Sequence, residues 1–285
     1  MKMHNFNIGP TDTDSISFCK QDGTPFSEAE LESLLKEIND LSPEFMIWDG
    51  DGYYHTCIAL KAKNYVLYDP TEKEDKKKKK VKGSAFKSSK LEPALKEFMT
   101  EIIDGMIHAR DLVSIYEKYV LEIMNIQDVK RWSQKKSLTE PILKCEGYEQ
   151  YSKEELKLRG TRANESNVWD AIKHEEGMQQ GDKFYVFPAI LDTNTEVTEK
   201  TLKSGVVKRK EKVIHTYGLL QSKYWNGVNH DKEHLLKRLY STIDIFSDVM
   251  DISEFKNYSL VKNYKELLDK LHKTEHNKGV IPKGC

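Results

Sequence analysis

An α+β fold is the architecture the sequence predicts, and three observations predict it. Residues 1–70 carry short alternating or apolar runs separated by turn residues, which read as strands around one capped helix. From about residue 91 the apolar period becomes that of amphipathic helices, so a partial sheet with a helix gives way to a mostly helical region near 85–92. No apolar run approaches the roughly 18 residues of a membrane span, and the opening MKMHNFNIGP lacks a signal-peptide core.

Residues 12–19, DTDSISFC, read as an acidic turn entering a strand, with Ile16 and Phe18 on one face and Ser15 and Ser17 on the other. QDGTPF is a turn. Ser27 then opens a helix through the capping box Ser27-x-x-Glu30, with Leu31, Leu34, Leu35 and Ile38 as its stripe. Residues 45–48 and 54–60 read as strands joined across Asp49-Gly50-Asp51-Gly52, and 63–68 as another. A lysine-rich tip occupies 71–80. Helices are expected over about 91–109, with Pro93 in the first turn and Leu95, Phe98, Ile102, Ile103 and Met106 as the stripe, and over about 111–125. After a mixed polar stretch at 128–165, residues 166–175 read as helix, 183–190 and 213–220 as strands, and 231–250 as a helix capped by Asp231. A short amphipathic helix near 262–272 precedes a polar tail, 273–285, expected to be mobile.

Apolar residues make up 38% of the chain and charged residues 32%, a wet surface around a modest core. The 14 Tyr, 10 Phe and 4 Trp are enough to build that core and exclude wholesale disorder. Cys19, Cys57, Cys145 and Cys285 show neither metal spacing nor a disulfide framework, so they read as free thiols in a reducing, cytoplasmic setting. The net charge of −1 hides an asymmetry: residues 1–60 hold 3 Lys/Arg against 11 Asp/Glu, residues 61–285 hold 42 against 35. An acidic start and a basic remainder fit a metal-dependent site joined to a polyanion-binding body; a lysine run and ordinary fluctuation give the same count.

Thr11-Asp12-Thr13-Asp14-Ser15 places two carboxylates two residues apart at a turn. Such a pair can approach one Mg²⁺, which accepts one or two carboxylates and leaves its other positions to water and phosphate. The same residues suit an Asx-type turn with no metal. In Lys61-Ala62-Lys63-Asn64-Tyr65-Val66-Leu67-Tyr68, extended chain would put Lys61, Lys63, Tyr65 and Leu67 on one face. Cations beside a phenol can follow a nucleic-acid backbone, and a half-exposed hairpin with solvated lysines has the same pattern. Gly83, Ser84, Lys82 and Lys87 before a helix suit phosphate contact, or a capped loop. Asp49-Gly50-Asp51-Gly52 lacks the ligands a calcium loop needs at its fifth and twelfth positions, where Tyr53 and Leu60 stand, and reads as a turn. His230-Asp231-Lys232-Glu233-His234 matches a zinc-protease string, but Asp231 as cap leaves His230 outside the helix, so these read as solvated histidines. Lys76 to Lys80 read as a solvated hairpin tip.

DTDSISF at 12–18, LKAKNYVLYD at 60–69 and KGSAFKSSKLEPALKEF at 82–98, in that order, resemble the C-terminal part of a family B DNA polymerase of the kind carried by large bacteriophages. Weaker likeness continues through RWSQKKSLTEPILKCEGY at 131–148, GDKFYV at 181–186 and KRLYSTIDIF at 237–246. The resemblance implies that residues 1–90 complete a polymerase palm, 91–272 form a DNA-binding thumb, and the activity is nucleotidyl transfer from dNTP to a primer-template. It implies Asp14 as the main metal-binding carboxylate and Asp12 as its support in a two-Mg²⁺ site. Lys63, Tyr65, Lys82, Lys87 and Lys136 would contact DNA. Pro10-Thr11 stands where the family usually has an aromatic-Gly pair, and the 70–80 hairpin is lengthened. The family's other metal-binding aspartate, fingers and exonuclease precede DTDS. The chain is therefore expected to work with an N-terminal polymerase polypeptide, as a split or truncated enzyme in the host cytoplasm. A DNA-binding module without chemistry and an unrelated metal-dependent phosphotransferase are the rival readings.

Overall fold

The computed structural model describes residues 6–12, 14–61, 63–73, 79–88, 91–138, 179–201, 207–261, 263–264 and 266–269. The expected helix at 166–175 and the tail at 273–285 lie outside the described residues, as do 262, 265 and 270–272 of the expected helix near 262–272, where 264 and 266–269 are helical. The chain is mixed α and β, with three small antiparallel sheets among the described residues, and divides into one unit of residues 1–88 and 245–251 and another of 89–244 and 252–285. Among the described residues no helix is long and apolar enough to cross a membrane.

The first unit opens with a hairpin, β1 (Phe6–Thr11) and β2 (Ile16–Lys20), paired from Phe6↔Lys20 to Thr11↔Ile16. Phe18 on β2 stacks on Phe6 at 5.5 Å and meets Phe26 edge-on at 5.8 Å, a half-buried aromatic cluster on one face of the hairpin. α1 (Glu28–Asp40) starts at Ser27 with both halves of the capping box formed. The Lys20 ammonium, 2.8 Å from Glu30, together with Ser27 holds the Glu30 carboxyl down to about 2. The second sheet has the order β3 (Thr56–Lys61), β4 (Asn64–Tyr68), β5 (Lys79–Lys82), with Tyr65, Val66 and Leu67 buried on the central strand.

Three expectations for this unit are corrected. Residues 45–48 form no strand: Phe45 and Ile47 are exposed, and the Trp48 backbone is held by the Asn39 side chain, which donates to its carbonyl at 3.0 Å and accepts from its N–H at 2.6 Å. With both groups satisfied, the segment has no need of a strand partner. The series Lys61 to Leu67 is not one extended face, because the chain reverses between Lys61 and Asn64. Lys80 is no solvated tip residue: it lies on β5, 2.5 Å from Asp51 of the Asp-Gly turn, which raises its pKa.

The second unit begins at a buried carboxylate. α2 (Ser84–Lys87) closes the first unit; α3 (Pro93–Ile107) starts with Glu92 as N-cap and Pro93 in its first turn. α4 (Leu112–Met124) starts at Asp111, whose side chain accepts from the Ser114 N–H. The two helices approach closely at Gly105, where an added Cβ would sit 2.5 Å from Leu112 Cδ2. Phe98, Ile102, Tyr116, Val120, Ile123 and Trp132 fill the core between them. Its polar ends are satisfied: Tyr116 donates to the Lys256 carbonyl at 2.9 Å and Trp132 Nε1–H to Glu122 at 3.0 Å.

The expected mostly helical region also carries a sheet, ordered β6 (Gln134–Ser137), β7 (Lys183–Thr201), β8 (Val207–Gln221). The strands expected at 183–190 and 213–220 are only the inner parts of β7 and β8. The outer parts pair on from Asp192↔Thr216 to Thr201↔Val207 as a two-stranded ribbon. α5 (Lys232–Ile243) is capped by Asp231 and ends short of 250, passing into a 3-10 turn at Asp244–Phe246.

His230 corrects the expectation of solvated histidines. It is 3% exposed, pairs by a bridge with Ala189, and among the described residues neither ring nitrogen has a partner in hydrogen-bonding geometry. Burial, aided by Lys232, pushes its pKa down to about 4, and the nearby Ile123 backbone opposes this only in part.

Two outcomes follow. Glu92 is 1% exposed and accepts from Arg238 at 2.5 and 2.9 Å and from Gln134 at 3.0 Å. Arg238→Met should therefore cost about 3 kcal/mol, the low end for a buried pair because Arg238 itself is part-exposed, and adding Glu92→Leu should recover most of it. Urea midpoints of the three variants check this. For His230, the unfolded ring binds a proton between about pH 6.5 and 4 that the folded ring does not. Stability should be whole above pH 6.5 and fall as pH falls, by on the order of 3 kcal/mol on reaching pH 4. His230→Phe should flatten that difference in urea titrations across the window.

Candidate functional site

The DTDS segment is the loop of the first hairpin. The backbone N–H of Asp12 donates to the Ser15 carbonyl at 2.8 Å, closing a four-residue loop between Thr11 and Ile16. Both Asp12 and Asp14 are exposed there. A tight loop forces the two carboxylates outward because neither strand face continues through it.

Lys63 occupies the turn between β3 and β4 with φ 62°, a left-handed position that costs an ordinary residue about 1 kcal/mol. From that turn its ammonium reaches the other hairpin and lies 3.3 Å from Asp12 Oδ1. Both groups are largely exposed, so the ion pair contributes little stability. Its interest is that it joins two motifs about fifty residues apart in sequence.

The third motif meets the same turn. Gly83 has φ 111°, and a Cβ there would sit 2.5 Å from the Lys63 carbonyl oxygen and 2.7 Å from Asn64 Cα. Only a residue without a side chain lets the two backbones approach this closely. Asn64 Oδ1 accepts from the Ala85 N–H at 3.0 Å, satisfying an orphan donor of α2 that Gly83, lacking a side chain, cannot cap. Asn64 is the residue sequence reasoning missed. Its signal was its place beside a turn, where Asn commonly bonds neighbouring backbone.

Asp12, Asp14 and Lys63 are thus brought to one place, with Lys82 close by. Lys82 is exposed and pairs across the sheet with Tyr65, one strand over from the Lys63 turn. Tyr65 itself is 9% exposed, so most of its ring belongs to the sheet core. Of Lys87 only the backbone is described, at the end of α2. Lys136 belongs to the other unit, on β6 opposite Phe184, and is half-buried. The lysine-rich residues 76–78 lie outside the described residues.

The donor set suits Mg²⁺, a hard cation that takes one or two carboxylates and keeps water in its remaining positions. Asp14 is the better-placed ligand, since the Lys63 ammonium already faces Asp12. Among the described residues no group of three or more His, Cys, Asp or Glu side chains converges. Further carboxylate ligands would have to come from elsewhere.

Comparison with models of known protein families gives no match, and comparison with curated proteins gives none either.

The Gly83 contact is the point to test. Gly83→Ala forces a side chain into backbone at a left-handed φ and should destabilise the first unit by at least about 1–3 kcal/mol. Asn64→Ala, which strands one N–H, should cost about 1 kcal/mol. Urea unfolding followed by tryptophan fluorescence, with Trp48 as the reporter in that unit, measures both.

Proposed function

We propose that this chain supplies the C-terminal part of a family B DNA polymerase, the end of its palm and a primer-template-binding thumb. One observation carries the reading. Three motifs that resemble that family in sequence order meet at a single turn, through the Asp12–Lys63 ion pair and the Asn64–Ala85 hydrogen bond. Unrelated turn motifs would have no cause to converge.

In this reading Asp14, with Asp12, holds divalent metal. When bound, Mg²⁺ would neutralise charge developing on the transferring phosphate. The protein's own residues do the positioning. The closed hairpin loop fixes the carboxylates. The Lys63 ammonium holds Asp12 in place, and Lys82 on the neighbouring strand offers a cation to the DNA backbone. The remaining palm carboxylate comes from sequence that the resemblance places before DTDS, on the same or a separate polypeptide. Until it joins, nucleotide addition is not expected.

A non-catalytic DNA-binding module is the second reading, favoured by the same ion pair: the ammonium 3.3 Å from Asp12 stands where a metal would compete.

Primer extension with the chain and a polypeptide bearing the missing palm aspartate, fingers and exonuclease separates the two. Asp14→Asn should reduce nucleotide addition at least about 10²–10³-fold while leaving the circular dichroism unchanged. Asp12→Asn should do less. Extension by Asp14→Asn at the unaltered rate would leave the non-catalytic reading.

A further inference from the structure

Beyond Ile190 the β7–β8 pair leaves the core and continues as a ribbon, with every described residue from 191 to 199 exposed on β7. Directly paired residues of an antiparallel ladder share a face. One face of the ribbon therefore follows from the register. On β8 it begins inside the core at Leu220 and the buried Gly218, passes Thr216 and Ile214, and ends Lys212, Lys210, Lys208. On β7 the partners are Glu196 opposite Lys212, Thr198 opposite Lys210, and Lys200 opposite Lys208. By register the outer three rungs place four lysines and one carboxylate on this face, with only the backbone described for Lys200 and Lys208. The other face is nearly balanced: Arg209 lies 3.6 Å from Glu211, Glu199 is opposite Arg209, and the rest is Val197, Val207, Val213, His215 and threonine.

We infer that the lysine face of this ribbon is a second nucleic-acid contact, which lies along the phosphate backbone of duplex DNA. This role rests on the nucleic-acid reading above for its choice of partner, but on separate residues in the other unit. Lysines at alternate positions of one strand are about 6.8 Å apart. Measured along the duplex axis the rise per phosphate of one strand is about 3.4 Å, so strand positions 208, 210 and 212 each advance by about two phosphates where β8 lies parallel to that axis. A two-stranded ribbon is also slim enough to enter a major groove. An anionic bilayer fits less well. Surface-seeking elements insert several large apolar side chains beside their cations, whereas here the lysine face of the ribbon carries Ile214 alone and the valines are on the opposite face.

The test uses the full chain and a fluorescent duplex of mixed sequence, with anisotropy measured over a salt series. Lys208→Ala, Lys210→Ala and Lys212→Ala combined should weaken binding to all duplex sequences alike. The log affinity against log salt should become shallower by about three. Val197→Ser with Val213→Ser should leave binding as it was, and circular dichroism should show both variants folded. Unchanged duplex affinity in the lysine variant overturns the inference, and so does a loss seen only with phosphatidylserine vesicles. Unchanged affinity with new self-association overturns it too, by showing the lysines to be guards against strand pairing. Failure of the unaltered chain to bind duplex DNA would sink the ribbon contact and the DNA-binding thumb with it, whereas an unchanged lysine variant sinks the ribbon contact alone. The polymerase reading is judged separately, on Asp14 in the complemented extension assay.

Discussion

Glu92 stands at the start of α3 with 1% of its surface exposed, and its oxygens accept from Arg238 on α5 and Gln134 on β6. A carboxylate removed from water at this depth is tolerable only with a charge and hydrogen bonds arranged around it. The second unit is organised by meeting that demand. The N-terminus of α3, the side of α5 and the edge strand β6 are tied to two oxygen atoms. With α5 fixed there, its apolar residues Leu235, Leu236 and Leu239 are fully buried. The position of the charge also helps, since a helix N-terminus favours an anion.

The first unit relies on amides where the second relies on charge. Asn39 grips both backbone groups of Trp48, and Asn64 supplies the cap that Gly83 cannot. In each case a side chain does the work of a missing strand or helix partner. Such bonds are short-range and directional, so they fix turns rather than build a core. The surface they hold in place is where Asp12, Asp14 and Lys63 come together.

Helices were the legible part of the sequence. The capping box at Ser27 and the cap at Asp231, with Pro93 in the first turn of α3, mark where helices begin because each satisfies an orphan N–H or suits a position without one. The stripes of α3 and α4 are buried much as their period requires. Strands were legible where apolar and aromatic residues cluster in short runs between turns, as at Ile16 and Phe18 or at Tyr65, Val66 and Leu67. Phe45 to Trp48 looked like a strand because its composition is apolar and β-favouring, but composition does not supply a partner. The outer ribbon was missed for the opposite reason: with both faces in solvent, its pattern is polar and no alternation is enforced. At the site, the carboxylates and Lys63 were readable as residue types. Their meeting was not, because it depends on a left-handed turn at Lys63 and on a glycine twenty positions later that lets two backbones touch. His230 was misread because a motif string says nothing about burial.

The ribbon register has a jog between Ile190 and Asp192, where Leu191 has no partner on β8. One unpaired residue changes which positions of β7 share a face with a given position of β8. Below the jog, even-numbered residues of β7 face with odd-numbered residues of β8; above it, even faces with even. The jog therefore acts as a phase setter between core and shaft. Adding or removing residues in pairs on both strands would lengthen or shorten the shaft and keep each face intact. A single insertion in one strand would turn over the part of that strand beyond it, so one in β8 beside the jog would bring Val207 and Val213 to the face where the lysines had been. Length in this element is free to drift between related chains, while parity is not.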